Sequence, residues 1–416
     1  MSPLKVLLFT PYYYPDFGPS APIYTDLCED LHKMGCNVTV VTAFPHYSEA
    51  QLAQNPHRPL FTHEVYNGVN IVRCYVYSVS KATTWKRMIY HGSFNLFSTL
   101  ASLRVKNPDI ILADAPMLWS GLSLVVKAIW AKVPFIYIIH DIYPDVLVRL
   151  GVLTNPKLIA LIDRIERAFY VRASGISVLS QGFKENLLRK SIPSEKIAVI
   201  PACVDANFFR PLPRENELRR TLHLGDKFVF LYAGNIGYSQ GLDSVLSAAQ
   251  DLKETSDILF LFVGEGATKE NLLGEASRKG LTNVKFIPFV PREQVPLLYG
   301  LADVCLVSLK QGLVVESVPS KTYTIMASGR PILASVDKNT EAARLVKVSG
   351  CGLLVEPGNP RAITDSLLSL YRNERLRSQM GNCGREYAFN HYRREIAAKE
   401  YYSFILKNLN NGGASS

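Results

Sequence analysis

The feature that most constrains this chain is an alternation of two hydrophobic patterns, run through once and then begun again. Short apolar runs at 4–9, 38–42, 69–73, 109–113, 134–139 and 175–179 are separated by helical stretches such as 20–34 and 155–173. The runs are continuous where a half-exposed strand would alternate, the mark of strands covered on both faces. Strands alternating with helices predict a parallel, doubly wound sheet. A stretch with no clear period, 196–213, then intervenes, and new runs follow at 228–232, 258–263, 284–287, 303–308 and 331–336. A helical stretch over 361–407 closes the chain. The 416 residues are too many for one ordinary core. The expected class is α/β, with Rossmann-like domains at 1–205 and 206–388, a helix at 389–410 packing back toward the first domain, and a disordered tail at 411–416. Ligands of such sheets sit beyond the carboxyl ends of the strands, so a central cleft between two facing domains is the expected site.

Composition narrows the class further. A hydrophobic content of 48% and a charged content of 20% describe a globular protein; only "NLNNGGASS" at 408–416 reads as unfolded. The seven cysteines, at 28, 36, 74, 203, 305, 351 and 383, form no CxxC pair and no metal-spaced cluster, which fits a reducing compartment. The start of the chain has too short an apolar run for a secretory signal. The apolar zone 117–139 is interrupted by Lys127, Lys132 and Pro134, and reads as helix, turn and buried strand, not as a membrane span. A cytoplasmic protein is expected.

The net charge of +10 is unevenly placed. Residues 73–106 carry Arg73, Lys81, Lys86, Arg87, Arg104 and Lys106 with no carboxylate, interleaved with Tyr75, Tyr77, Trp85, Tyr90, Phe94 and Phe97. Exposed aromatics among cations suit an anionic membrane surface; a solvated helix face beside core aromatics is the alternative. No nucleic-acid-binding motif is present.

The loop after the first strand, "TPYYYPDFGPSAPIYTDL", lacks G-x-G-x-x-G, which argues against a dinucleotide oxidoreductase. In the second half, strand 228–232 runs into Gly234, Gly237 and Gly241 at a helix start, either an anion-facing turn or a plain glycine-rich one. Strand 258–263 ends in Gly264-Glu265-Gly266. The loop after 303–308 leads through Glu316 and Pro319 to Ser320, a candidate N-cap, and Lys321, with a helix over 321–328 closed by Gly329. A lysine in a first helical turn is unfavourable beside the dipole unless an anion offsets it, so Ser320 and Lys321 are expected to meet a diphosphate, with Glu316 bonding ligand hydroxyls.

Together with "YYYPDFGPSAP", "VVTAFPHY", "HDIYPDVLVRLG", "VIPACVDANFF", "LADVCLVSL", "VPSKTYTIMASGRPILA" and "CGLLVEPGNP", in order over nearly the whole chain, these loops resemble the retaining glycosyltransferases of family 4, of the GT-B fold. The resemblance extends to bacterial members that build O-antigen, colanic acid and related exopolysaccharides. It implies an enzyme of hexosyltransferase type. Its second domain would hold a nucleotide-sugar donor and its first a lipid-linked or oligosaccharide acceptor. The family's acidic motif places Glu316 at the donor sugar; the second acid of that motif falls on Thr324, a departure at the ribose. Where many members carry Arg and Lys for the diphosphate, this chain has Asn235 and Gln240, so Lys321 is expected to supply the charge. Gly18, Ser20 and Ala21 match the loop near the donor phosphates. His140, beside Asp141 and near Asp145, matches a histidine at the donor sugar. "GEGA", from Gly264 and Glu265, and "IPFVP", with Phe289 and Val290, match segments lining the nucleobase.

The resemblance implies transfer with retention, and the chain offers no confident enzymic nucleophile. A front-face reaction is therefore expected, with catalytic roles for Glu316, Lys321 and His140. No Asp-x-Asp stands at a strand end, so no metal or other cofactor is expected. The acceptor would be a polyprenyl-diphosphate-linked sugar met at the inner face of the plasma membrane, with residues 73–106 and the apolar helix at 117–131 against the lipid. Two rivals share the architecture: a nucleotide-sugar epimerase, and a degenerate binder of nucleotide-sugar that catalyses nothing.

Overall fold

The computed structural model describes residues 2–16, 20–46, 59–77, 84–149, 151–312 and 318–412, the side chains of 84–88, 117–119 and 411–412 excepted. The chain divides into two compact units. The first is Met1–Pro201 with Arg394–Ser416, and the second is Ala202–Arg393. The chain therefore passes between them twice.

The first unit is built on eight strands: β1 (Lys5–Phe9), β2 (Asn37–Ala43), β3 (Phe61–Tyr66), β4 (Val69–Cys74), β5 (Ile110–Asp114), β6 (Phe135–Ile139), β7 (Gly175–Val178) and β8 (Ile197–Val199). Their order is β3-β4-β2-β1-β5-β6-β7-β8, parallel except for β3 against β4. β5 and β6 are buried at every position, as their unbroken apolar runs require. The core beneath them includes Leu7, Phe9, Ile111, Tyr137 and Phe94.

The second unit has six parallel strands, β9 (Phe228–Ala233), β10 (Ile258–Val263), β11 (Val284–Ile287), β12 (Val304–Ser308), β13 (Ile332–Ser335) and β14 (Gly352–Val355), ordered β11-β10-β9-β12-β13-β14. The order reverses between β9 and β12, which in doubly wound sheets is the place for a ligand.

Three strands lie outside the sequence reading: β3, β8 and β14. All are at sheet edges; β3 is largely open to solvent and shows no continuous apolar run, and β8 and β14 are only 3 and 4 residues long. The terminal segment also differs from expectation. The helix Arg394–Gly412 carries order through residues 408–412, which read as tail; Asn408 Nδ2 donates to the Phe404 carbonyl at 2.8 Å. Arg394 opens it by bonding Asp26 at 2.8 Å and Asp30 at 2.7 Å on the helix Ala21–Lys33, with Glu29 at 3.3 Å.

Of the aromatics expected at the surface of 73–106, Tyr77 is 37% exposed, whereas others among the described residues turn inward. Arg73 is buried, with Nε on Glu64 at 2.7 Å and Nη1 on the Ala43 carbonyl. Phe94 is in the core and Tyr90 and Phe97 pack against it. Arg104 lies over the Phe61 ring at 4.1 Å. The helix Thr84–Ser102 turns Tyr90, Phe94 and Phe97 toward the core, where burying rings removes much apolar area from water. Lys81 lies outside the described residues. No helix among the described residues is long and apolar enough to cross a membrane.

Candidate active site

At the carboxyl end of β9, Gly234 adopts φ +143°, and a β-carbon there would sit 2.7 Å from the Lys321 Nζ. Gly264, directly after β10 at φ +150°, is tighter still: its β-carbon would lie 1.9 Å from the Gly234 carbonyl oxygen. Only glycine lets these two strand ends approach so closely. The turn beyond is held by its own side chains. Gly237 N–H donates to Gln240 Oε1 at 3.0 Å, and Gln240 Nε2 donates to Ser239 Oγ at 2.9 Å.

Across this turn begins the helix Lys321–Ala327, whose Thr322, Tyr323, Ile325, Met326 and Ala327 are buried. Ser320 does not cap it as the sequence suggested. It has helical dihedrals and its hydroxyl accepts no cap bond. An N-cap needs an extended residue for its oxygen to reach back to the first amides, and here the first turn bonds to the backbone carbonyls of Pro319 and Ser320 instead.

Lys321 is the electrostatic anomaly of the unit. Its ammonium lies over the Tyr232 ring at 3.9 Å, and among the described residues no carboxylate pairs with it. Burial pulls its pKa down to about 7. A desolvated cation with only a π-face for company is costly to hold.

These elements enclose a cavity of about 440 Å³. Of the residues expected from sequence, Gly234, Asn235, Gln240, Phe289, Val290, Ser320, Lys321 and Thr324 all line it. Phe209, Tyr232, Ala233, Val263, Val295, Leu298 and Tyr299 complete the wall. Phe289 on this wall is 57% exposed, and no ring contact involves it among the described residues. The added residues carried no local signal, because each is an ordinary apolar residue that becomes lining only through strand order.

Three expected residues do not line the cavity. Gly237 faces a separate surface cavity. Gly264 contributes close packing behind Gly234. Glu265 turns its carboxylate to Lys269 at 2.7 Å, one helical turn on, and only its carbonyl serves the loop, accepting from Ile236 N–H at 2.8 Å. Glu316 and Gly18 lie outside the described residues.

In the first unit, Ser20 and the buried Ala21 begin the helix Ala21–Lys33. His140 and Asp141 follow β6. The His140 Nε2 is 3.0 Å from the Tyr24 hydroxyl, and desolvation lowers its pKa to about 4, so the imidazole is neutral at neutral pH. Asp145, expected to support it, is instead tied to Lys190 at 3.0 Å and to Asn186.

Comparison with known proteins finds glycosyltransferases. Residues 20–203 match a family model described as a glycosyl transferase 4-like domain, and residues 213–387 match one for glycosyl transferases group 1. WcaI of Escherichia coli K12, assigned to colanic acid biosynthesis as a glycosyl transferase, is 27% identical over 97% of this chain and its own full length. The O-antigen chain mannosyltransferase C of Escherichia coli is 22% identical, with 92% of each chain covered. Among solved structures, sucrose-phosphate synthase from Thermosynechococcus elongatus matches at TM-score 0.75 and 18% identity, over 98% of this chain and 100% of the other. HepE of Anabaena in complex with UDP-glucose matches at TM-score 0.70 and 15% identity, with 98% and 100% covered.

Proposed function

This chain belongs to the glycosyltransferases of the GT-B fold, with a 4-like first domain and a group 1 second domain, and from that premise we propose that it transfers a sugar from a nucleotide-sugar to a saccharide acceptor in surface polysaccharide biosynthesis. The observation that carries the donor assignment is Lys321, a largely buried ammonium with no carboxylate partner among the described residues, facing a cavity at the switch point of the second sheet. A nucleoside diphosphate supplies what this cavity lacks. Its diphosphate offsets the charge, and its base has Phe289 and Val290 as an apolar seat. Thr324 offers the ribose a hydroxyl where the family more often has a carboxylate.

Transfer proceeds with retention in this reading. The bond from the anomeric carbon to the diphosphate oxygen breaks on the face where the acceptor oxygen bonds, and the acceptor's proton passes to the departing diphosphate. Lys321 stabilises the charge that develops on that leaving group. Glu316 orients the sugar ring, and His140 with Asp141 serves the sugar from the first domain, where Ser20 and Ala21 approach the phosphates. Because Lys321 supplies the positive charge, activity is expected to survive a chelator; loss restored by a divalent ion would reject this part.

The acceptor is proposed to be a polyprenyl-diphosphate-linked sugar, with the enzyme peripheral to the inner face of the plasma membrane. Support comes from an apolar stripe on two helical segments. Ile89, Leu96, Leu100 and Leu103 are exposed at helical spacing, and Leu122, Ile129 and the 74%-exposed Trp130 stand on the neighbouring helical segment.

The function is tested by melting the protein with UDP-, GDP- and ADP-sugars, then measuring nucleotide release with and without lipid-linked acceptor. One nucleotide class should raise Tm, and release should depend on acceptor. Acceptor-independent release would indicate an epimerase, and binding without release a non-catalytic protein.

A further inference from the structure

The basic stretch of the first unit ends in Arg104 and Lys106, which the transfer scheme does not use, and the fold brings a third cation to them. Lys5 opens β1, Asn37 opens β2 and Asn70 is the second residue of β4, so the amino ends of three neighbouring strands supply one polar edge. His63 joins them from β3, opposite Val72 of β4. With Arg104 and Lys106 these residues line a surface cavity of about 290 Å³. The cavity lies at the other end of the first sheet from His140, which follows the carboxyl end of β6.

No carboxylate is among the described residues that line it. Asp109, beside it, takes the backbone N–H of Lys5 at 2.7 Å, and among the described residues no ion pair engages the side chains of Lys5, Arg104 or Lys106. Arg104 lies over the Phe61 ring at 4.1 Å, a contact that uses no hydrogen-bond acceptor and leaves its N–H donors available. Asn37 Oδ1 accepts from Asn70 Nδ2 at 3.2 Å, so the Asn37 amide N–H groups also remain to donate. A purely structural cluster of cations would be interleaved with carboxylates. Water and salt screen the repulsion at this exposure, so the gathering costs little, but it fixes the sign of what can enter.

We propose that this cavity seats a phosphate anion, with Lys5, Arg104 and Lys106 supplying the charge and Asn37 and Thr39 supplying hydrogen bonds. A guanidinium meets two phosphate oxygens at once, and the two ammonium groups reach the others as point charges. Two sources carry this group: free phosphate, and the phosphodiester headgroup of an anionic phospholipid. The chain just before Arg104 fits the headgroup better. Leu100 and Leu103 are exposed at and immediately beyond the end of the helix Thr84–Ser102, where they would meet hydrocarbon while the cavity takes the phosphate. This choice of source rests on the membrane reading above; the phosphate seat itself does not.

His63 is a reporter inside the cavity. The full chain, labelled with nitrogen-15 at histidine, is titrated with inorganic phosphate in place of chloride at constant pH and ionic strength, and His63→Gln identifies the His63 signals. They should shift saturably. Arg104→Gln with Lys106→Gln should weaken that binding at least roughly tenfold, whereas Lys321→Met, which removes the cation of the donor cavity, should leave it unchanged. In flotation with phosphatidylcholine vesicles containing phosphatidylglycerol, the same double variant should lose roughly 10–30-fold in partitioning, about fivefold for each cation. Lys347→Gln with Arg375→Gln, which removes two exposed cations of the second unit, should not. Leu100→Glu with Leu103→Glu should lose the vesicles yet keep the His63 response, which separates the membrane reading from the seat. A His63 response with flotation indifferent to Arg104 and Lys106 assigns the seat to free phosphate. If His63 shows no saturable response, or the same response in the Arg104 and Lys106 variant, the seat is overturned whatever the vesicles do.

Discussion

Lys321 titrates in the range where the enzyme would work, and the consequences have opposite signs for the empty and the loaded protein. Its folded pKa of about 7 lies below the ordinary 10.5, so between those values the folded state binds fewer protons than the unfolded one. Stability of the empty protein therefore rises as pH increases from about 7 toward 10.5, and the penalty is in full force below 7. A diphosphate reverses this by favouring the ammonium. Nucleotide binding should take up a proton near pH 8, measurable by calorimetry in buffers of different ionisation enthalpy, and affinity should fall as pH rises further. Lys321→Met should abolish the uptake and weaken nucleotide binding by roughly 10–100-fold. It should also stabilise the empty protein by about 1–4 kcal/mol, because a buried charge is replaced by an apolar side chain. A variant that binds nucleotide as the wild type does would end the assignment. The lysine at a helix start is visible in the sequence. Its seat on Tyr232 is not, because the two residues are brought together by β9 and β12 pairing across the reversal of strand order.

Among the elements, the adjacent turns after β9 and β10 are the tightest fit. Gly264→Ala places a β-carbon 1.9 Å from the Gly234 carbonyl at a φ that L-residues rarely adopt. The turn must open, at a cost of roughly 1–3 kcal/mol from backbone strain alone. A thermal melt should show lower Tm, with a reduced shift on adding nucleotide, since Gly234 and Lys321 share the displaced wall. An unchanged nucleotide shift would show that the wall moves independently of the site. At this scale the sequence was most informative for central strands, whose continuous apolar runs declare burial on both faces. It was least informative at the edges. β3, with His63 and Glu64 in its span, reads as a loop until β4 supplies its ladder. Ser320 shows the converse error. The residue type suits a cap, but the dihedral angle that decides capping is set by the loop that delivers it.

In the whole molecule, the last helix belongs to the unit that the chain left some two hundred residues earlier. Arg394 gathers Asp26, Glu29 and Asp30 around one guanidinium, and Ser177 bonds the Tyr401 hydroxyl at 3.0 Å. Arg394→Ala leaves three carboxylates facing one another and should lower the stability of the first unit by about 3 kcal/mol. Chemical denaturation should show this, whereas the Tm shift from nucleotide should persist, because the donor cavity lies within the second unit. Membrane association belongs to this scale too. More protein should float with anionic than with neutral vesicles, and Leu100→Glu with Leu103→Glu should reduce it. Equal recovery on both lipids would leave the apolar stripe without this role.

The sequence by itself determined the class of fold, the restart of the pattern, and the glycines, lysine and histidine of the candidate site, because buried parallel strands and special backbone positions leave local marks. The tertiary structure decided what those residues do. It buried Arg73 and Phe94, turned Glu265 away to Lys269, left Lys321 without a carboxylate partner among the described residues, and brought Tyr24 to His140. Each depends on which strands are neighbours and on where water is excluded, and neither is written in the order of residues along a single strand or helix.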